Sequence, residues 1–346
     1  RWLKDLKKEY WPDIANYIDP DEFAKRLTNN RKDGYGFYNV SPAISPNGDK
    51  IAYLSDKDIY LNLYLMNTSD GKVTKKLLES GKTTDFEELN VLFPSLTWAP
   101  DNKRVALSAK GGGFNSIAVI NTDNGDVDFL PIEMDGIESV AWSFDGKKIA
   151  FVGQNRKQSD IYVFDFDTKT VTNILNDIFS DNDPTWTRDN KKIIFSSDRA
   201  DLITQPRDDY ELYKHDVYQK DLYMIDLASG KIHRITDWKH SNEQFAVTSV
   251  DGKEILFSSD FNGIGNIYRK RIVLNADDKV SSILELPAEP ITNSLTEISQ
   301  MSLSYDGKKL AFTSLYKEGY NIFTLDNPFT PKTEVKELKK TVYVSR

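Results

Sequence analysis

A short turn pattern returns six times along the chain, and it constrains the fold more than any other feature. The pairs are Asn47-Gly48, Asp101-Asn102, Asp145-Gly146, Asp189-Asn190, Asp251-Gly252 and Asp306-Gly307. Such pairs supply the positive φ angles that two-residue hairpins need. Each is followed by a polar residue and then by a β-rich run starting at Ile51, Val105, Ile149, Ile193, Ile255 or Leu310. A further strand recurs in each copy, starting at Asn62, Ser116, Asp160, Asp221, Asn266 and Asn321. Its residues alternate between apolar and polar or aromatic, as in a half-buried strand. Most copies then show another turn and an outer strand, as at Ser229-Gly230 before residues 231–236. Four short antiparallel strands per copy, repeated radially, make one large domain. The predicted fold is therefore all-β: a six-bladed β-propeller of four-stranded antiparallel blades over residues 41–330, with a short helical N-terminal lead-in.

The turns are spaced by 54, 44, 44, 62 and 55 residues, so the shortest interval is the bare blade and the longer ones carry insertions. The largest insertion lies between Arg199 and Lys220, and a smaller one between Lys82 and Val91. Insertions in repeat proteins fall in loops and often decorate a binding face. Trp98, Trp142 and Trp186 occupy one equivalent place in three inner strands. That placement predicts packing between blades rather than exposed ligand platforms.

Residues 142–151 (WSFDGKKIAF), Ser197-Asp198-Arg199, residues 258–260 (SSD) and Asp160-Ile161-Tyr162 together resemble the repeat of TolB-type propellers. The resemblance covers about residues 41 to 329. Thr248 and Leu303 depart from it where Trp is usual, and Lys110 and Leu315 where the Ser-Asp aspartate is usual. It implies a bacterial envelope protein, periplasmic or extracellular, that binds a protein or peptide partner. Similar blades also precede the catalytic domains of prolyl-oligopeptidase-like peptidases, and others lie downstream of zinc metallopeptidase-like domains. Fold alone does not choose among these roles.

Residues 1–40 do not follow the blade pattern and are expected to form a lead-in at the junction to an upstream domain. Leu3, Leu6 and Tyr10 suit a short helix. Asp19 suits an N-cap, with Pro20 first in the helix and Glu22 completing a capping box. Residues 25–28 (KRLT) also mimic the outer strand 233–236 (HRIT), so they are a candidate for closing the sixth blade. Residues 341–345 (TVYVS), in the C-terminal segment 331–346, are a second candidate; that segment is otherwise a linker. A helical lead-in capping one end is the favoured reading. The chain begins at Arg1 and reads as a piece of a longer protein.

A net charge of −8 disfavours nucleic acid and acidic membrane surfaces as partners. The absence of cysteine removes disulfides, thiolate nucleophiles and Cys-ligated metals. No apolar run approaches the length of a membrane span, so no membrane insertion is expected, and the chain is expected to be a monomer. No Gly-x-Ser-x-Gly elbow and no His-Glu-x-x-His motif occurs. Gly111–Gly113 lacks the Lys-Ser/Thr of a phosphate loop. His215, His233 and His240 are expected on the solvated surface rather than in a triad. The expectation is a chain without catalytic residues.

Carboxylates gather just before the inner strands: Glu87 and Glu88, Glu138, Asp181 and Asp183, Glu243, and Glu297, with Asn39 in the first copy. Because inner strands surround the channel of a propeller, these residues are candidates for one acidic rim. Two readings stand side by side, ordinary solvated loops and a site for a cation or a basic peptide group. Convergent carboxylates repel one another unless a positive group neutralises them. Hard oxygen ligands suit Ca²⁺, the candidate cofactor.

Overall fold

The computed structural model describes residues 15–33, 36–80, 96–111, 113–132, 134–155, 158–202, 215–276, 278, 280–330, 335, 338–341 and 344. They form six four-stranded antiparallel sheets, the six expected blades. The inner strands are Asn39–Ile44, Leu96–Trp98, Gly136–Trp142, Asp181–Trp186, Glu243–Thr248 and Ile298–Leu303. In the first five blades the order inner, second, third, outer follows the chain.

The period of two along the middle strands explains why the blades form a ring. In the second strand of blade 1, Ala52 and Leu54 point to a cluster shared with blade 2, where Trp98, Val105 and Leu107 meet them. Ile51 and Tyr53 point the other way, into a cluster shared with blade 6. Every neighbouring pair of blades shares one such cluster. Burying each Ile, Leu, Val or Phe contributes about 1.5–3 kcal/mol, so neither face of a blade is left to water. Cross-strand aromatic pairs at one register position reinforce five blades: Tyr53–Tyr64, Phe151–Tyr162, Phe195–Tyr223, Phe257–Tyr268 and Phe312–Phe323, with centroids 5.5–5.9 Å apart.

The hairpin turns differ in size from the expected two-residue type. In blade 3 the Ser143 amide donates to the Lys148 carbonyl (2.9 Å), and the Gly146 amide donates to the Ser143 carbonyl (3.0 Å). The loop thus holds residues 144–147, with Gly146 at φ 76°. Ser143 Oγ donates to Asp145 Oδ1 (2.7 Å) and accepts from the Lys148 amide (2.9 Å). The Asp or Asn of five pairs serves this side-chain lock, Ala99 leaving blade 2 without the hydroxyl, and Asn102 and Asn190 take the left-handed position where glycine is missing.

Blade 6 is closed by the chain's beginning. Its inner, second and third strands come from residues 298–326, and its outer strand is Lys25–Arg26, pairing Lys25 with Thr324 and Arg26 with Phe323. Thr28 Oγ1 accepts from the Ile322 amide (2.9 Å), as Thr236 Oγ1 accepts from the Leu222 amide (2.8 Å) in blade 4. Closure by residues 25–28 follows directly on the short helical lead-in: Arg26 and Thr28 repeat the bonding of Arg234 and Thr236. A single-turn helix, Pro20–Phe23, precedes the strand. Asp19 is its N-cap residue and Pro20 its first position, but the Asp19 side chain makes no capping bond and no capping box forms. Residues 3–10 lie outside the described residues. In the C-terminal segment the Thr341 amide donates to the Asn262 carbonyl (2.8 Å), beside blade 5 rather than in blade 6.

Trp98, Trp142 and Trp186 are all buried. The Trp98 indole donates to the Ala43 carbonyl (2.8 Å) and the Trp186 indole to the Ala141 carbonyl (3.0 Å). Each bond reaches the inner strand of the preceding blade. Trp186→Ala is expected to destabilise the fold by about 3–5 kcal/mol, the usual cost of truncating a buried Trp. Urea unfolding measures this, and a near-wild-type midpoint would contradict the packing role.

Candidate functional site

Five of the inner strands bend at the same point. Blade 1 pairs Val40 with Leu54 and then Ala43 with Ala52, so Ser41 and Pro42 face a single residue. The same register shift recurs in blades 3, 4, 5 and 6. The first extra residue is left-handed in each: Ser41 (φ 51°), Ser139 (44°), Asp183 (51°), Phe245 (55°) and Gln300 (50°). Bulges re-aim side chains and cluster near functional sites. Here they link neighbours around the axis. Ser139 Oγ donates to Asp183 Oδ1 (3.1 Å), and the Ser41 amide donates to Gln300 Oε1 (2.8 Å).

These residues line a central cavity of about 140 Å³ to which all six inner strands contribute. Its walls include Ile44, Trp98, Val140 and Leu303. At the hairpin end, Phe144 of blade 3 meets Tyr305 of blade 6 across the axis, with ring centroids 5.0 Å apart. The Arg188 guanidinium of blade 4 stacks beside them, 4.1 Å from the Phe144 ring and 5.5 Å from the Tyr305 ring.

The acids predicted for one rim occupy several environments. Asp183 alone among those described lines the cavity. Burial pushes its pKa up to about 6, against the field of Lys220. Glu138 accepts from Gln154 Nε2 (2.7 Å), and burial, then Asp183, raises it to about 7. Glu297 is exposed and also shifted upward, by desolvation and then by Asp260. Asp181 and Glu243 stand at the first position of their strands; Asp181 pairs with Arg199 after the second strand of its own blade, whereas Glu243 sits between Ser259 of its blade and Asp221 of blade 4. Glu87 and Glu88 lie outside the described residues. The single rim is thus corrected to a Glu138–Asp183 pair near the channel, with Glu297 separate, because positions one, two and three of a strand face different ways.

Asp181 instead belongs to a group that periodicity did not reveal. Ligand oxygens of Asp160, Asp177 and Asp181 lie within 4.8 Å of one another, a set able to hold a metal ion. Arg199 is buried among them, 3.0 Å from Asp177 and 2.6 Å from Asp181. Its guanidinium lies 5.2–5.6 Å from the rings of Phe179, Phe195 and Tyr223. One arginine faces three acids, and burial raises Asp181 to about 7 despite it. The available signal was an acid at Asp160, where four other blades carry Asn or Ser. His215 is buried rather than solvated, with Nε2 3.5 Å from Asp198 and its ring 5.4 Å from Phe179.

Glu243 accepts from Ser241 Oγ (2.7 Å) and Ser259 Oγ (2.8 Å). Its other oxygen and Asp221 Oδ1 are both buried without a hydrogen-bond partner among the described residues. The nearby Asp221 further disfavours the charged form of Glu243. Burial, above all, pushes Glu243 up to about 8.

A family model of the TolB beta propeller domain matches residues 25–201. The chain belongs to the TolB β-propeller family. Among solved structures it resembles TolB from Acinetobacter baumannii, with 20% identity and a TM-score of 0.58 over 84% of this chain and 66% of that one. It also resembles an oligogalacturonate lyase from Vibrio parahaemolyticus, with 12% identity and a TM-score of 0.55 over 91% of this chain and 97% of that one. A prolyl endopeptidase is similar over 97% of this chain and 48% of its own, with 14% identity and a TM-score of 0.51. At these identities the likeness is one of fold. No curated protein matches the chain in sequence.

In this TolB-type propeller the buried acids set a pH dependence. A carboxyl whose pKa is raised by folding contributes stability below its unfolded pKa and loses it as pH rises through the folded value. Asp183, Asp181, Glu138 and Glu243, at about 6, 7, 7 and 8, therefore make stability fall between pH 5 and about 9. Glu243→Gln, which removes the titrating carboxyl, is expected to flatten the upper part of that fall. Thermal melts from pH 5 to 9 check this, and a variant whose midpoint declines as steeply as wild type would contradict the raised pKa of Glu243.

Proposed function

We propose that the chain is a non-catalytic module that binds a protein or peptide, and that the acid-bearing end of its channel receives a cation or a basic side chain. The observation that supports this most is the Glu138–Asp183 pair. Both carboxyls are buried and disfavour each other's charge, and Asp183 faces the cavity. A lysine, arginine or divalent ion placed there would relieve that repulsion and draw both pKa values down. For a metal, the all-carboxylate set of Asp160, Asp177 and Asp181 suits Ca²⁺, provided that Arg199 gives way.

Family membership supports a periplasmic or extracellular protein-binding role, and no described helix is long and apolar enough to cross a membrane. A second reading, an accessory propeller that gates substrate for a peptidase domain, draws on the prolyl endopeptidase likeness. Such a propeller occupies about half of that larger chain. The sequence of the full-length gene separates the two readings.

The test is a melting curve with Ca²⁺, with EDTA and with a Lys-rich peptide, at fixed ionic strength. A ligand that binds the folded state raises the midpoint by mass action. The wild type is expected to gain stability from the peptide or from Ca²⁺, and Asp183→Asn to lose the peptide's share. No shift with either ligand would overturn the reading. Turnover of a peptide or ester substrate, abolished by a point mutation in the chain, would overturn its non-catalytic part.

A further inference from the structure

The opposite end of the channel carries charge of the other sign. Arg188 follows the inner strand of blade 4 by two residues and stands on the cavity floor with Phe144 and Tyr305. Its Nε is buried and has no hydrogen-bond partner among the described residues. No described carboxylate forms an ion pair with it. The acid whose field it feels, Asp306, already accepts from Ser304 Oγ (2.7 Å) and from the Lys308 amide (3.0 Å). A guanidinium held against two rings, with an unpaired buried donor, is pre-organised to receive an anion. The rings restrict its rotamers, so little further freedom is lost when a partner binds.

The wall above it is about half apolar, with Ile44, Trp98, Val140, Val247 and Leu303 around the axis beside polar groups such as Thr97 and Gln300. A hydrated inorganic anion would leave that wall uncovered. A ligand with an acid group at one end and an apolar body would match both parts. A volume of about 140 Å³ holds a body the size of a short alkyl chain or a single ring. Asp183 lines the same cavity, five residues before Arg188 in the chain, so removing its charge is expected to favour an anion on Arg188 rather than to weaken it.

We propose that the central cavity binds an apolar carboxylate, with its acid group on Arg188 and its body against the inner-strand wall. The carboxylate is either a free monocarboxylic acid or the C-terminal residue of a peptide. This site shares its cavity with Asp183 of the acidic end but takes a ligand of opposite charge on a different anchoring group.

Trp98, Trp142 and Trp186 line the cavity, so tryptophan fluorescence together with calorimetry reads occupancy. The probes are hexanoate and benzoate, their neutral amides, and a tetrapeptide ending in leucine with its C-terminus free or amidated. Free carboxylates are expected to bind, and their amides to bind about tenfold more weakly or not at all, as befits loss of a charge-assisted pair. Arg188→Met keeps the stacking on Phe144 and Tyr305 but removes the charge, and should abolish that preference. Should this variant fail to fold, Thr185→Phe fills the same cavity and should block binding with Arg188 intact. Asp183→Asn should leave carboxylate binding in place, which separates this site from the acidic end. Binding of the free peptide without the small acids would identify a C-terminus as the ligand, and the reverse would identify a free acid. Equal affinity for acid and amide, no binding of either, or binding untouched by both variants would overturn the proposal.

Discussion

Every blade has two apolar faces, and each face is covered only by the next blade. The ring must therefore close, and the closing contact is made by a two-residue strand. Lys25–Arg26 pairs with the third strand of blade 6, and Leu27 then joins the cluster of Ile44, Ile51, Tyr53 and Met66 from blade 1. The hydroxyl of Thr28 and the guanidinium of Arg26 both engage Asn321, which is fully buried. Without these partners a buried amide would lack its hydrogen bonds, a cost of about 1–3 kcal/mol. The first residues of the propeller thus hold its last blade.

Closure also creates the axis. Inner strands have a free edge toward the channel, and the protein covers it by linking successive blades. Indole groups, the Thr97 hydroxyl and the Ser302 hydroxyl bond to backbone groups of the adjacent blade. The recurring left-handed residue turns five inner strands, and at Ser139–Asp183 and Ser41–Gln300 it links neighbouring blades by hydrogen bonds. The result is a cavity lined by the Asp183 carboxyl and, at the hairpin end, by the Arg188 guanidinium. Separated charges of this kind suit an elongated ligand lying along the axis better than a spherical ion.

The blades were legible in the sequence because their signals are local. Asp145-Gly146, the run from Ile149 and the strand from Asp160 each need only near neighbours to form. The core role of the tryptophans was legible for the same reason, since equivalent positions must pack alike. The closing strand was visible as the likeness of residues 25–28 to 233–236, but its pairing with Phe323 spans almost the whole chain, which no local pattern encodes. The acidic rim misled because a one-residue shift along a strand reverses the direction of a side chain. Asp181, Glu138 and Asp183 look adjacent by offset, yet they point to Arg199, to Gln154 and to the cavity. Asp177 and Arg199 escaped notice because loop residues converge through tertiary packing alone.

The central claim is that one ring, closed by residues 25–28, holds all six blades and the channel between them. Hydrogen exchange on a variant lacking residues 1–28 tests it most directly. The account predicts that amides of Gly319–Asp326 in blade 6 lose protection together with those of Lys50–Asp58 in blade 1, and that the channel's tryptophans become accessible. Loss confined to Gly319–Asp326, with blade 1 and the tryptophans protected as in the intact chain, would contradict it.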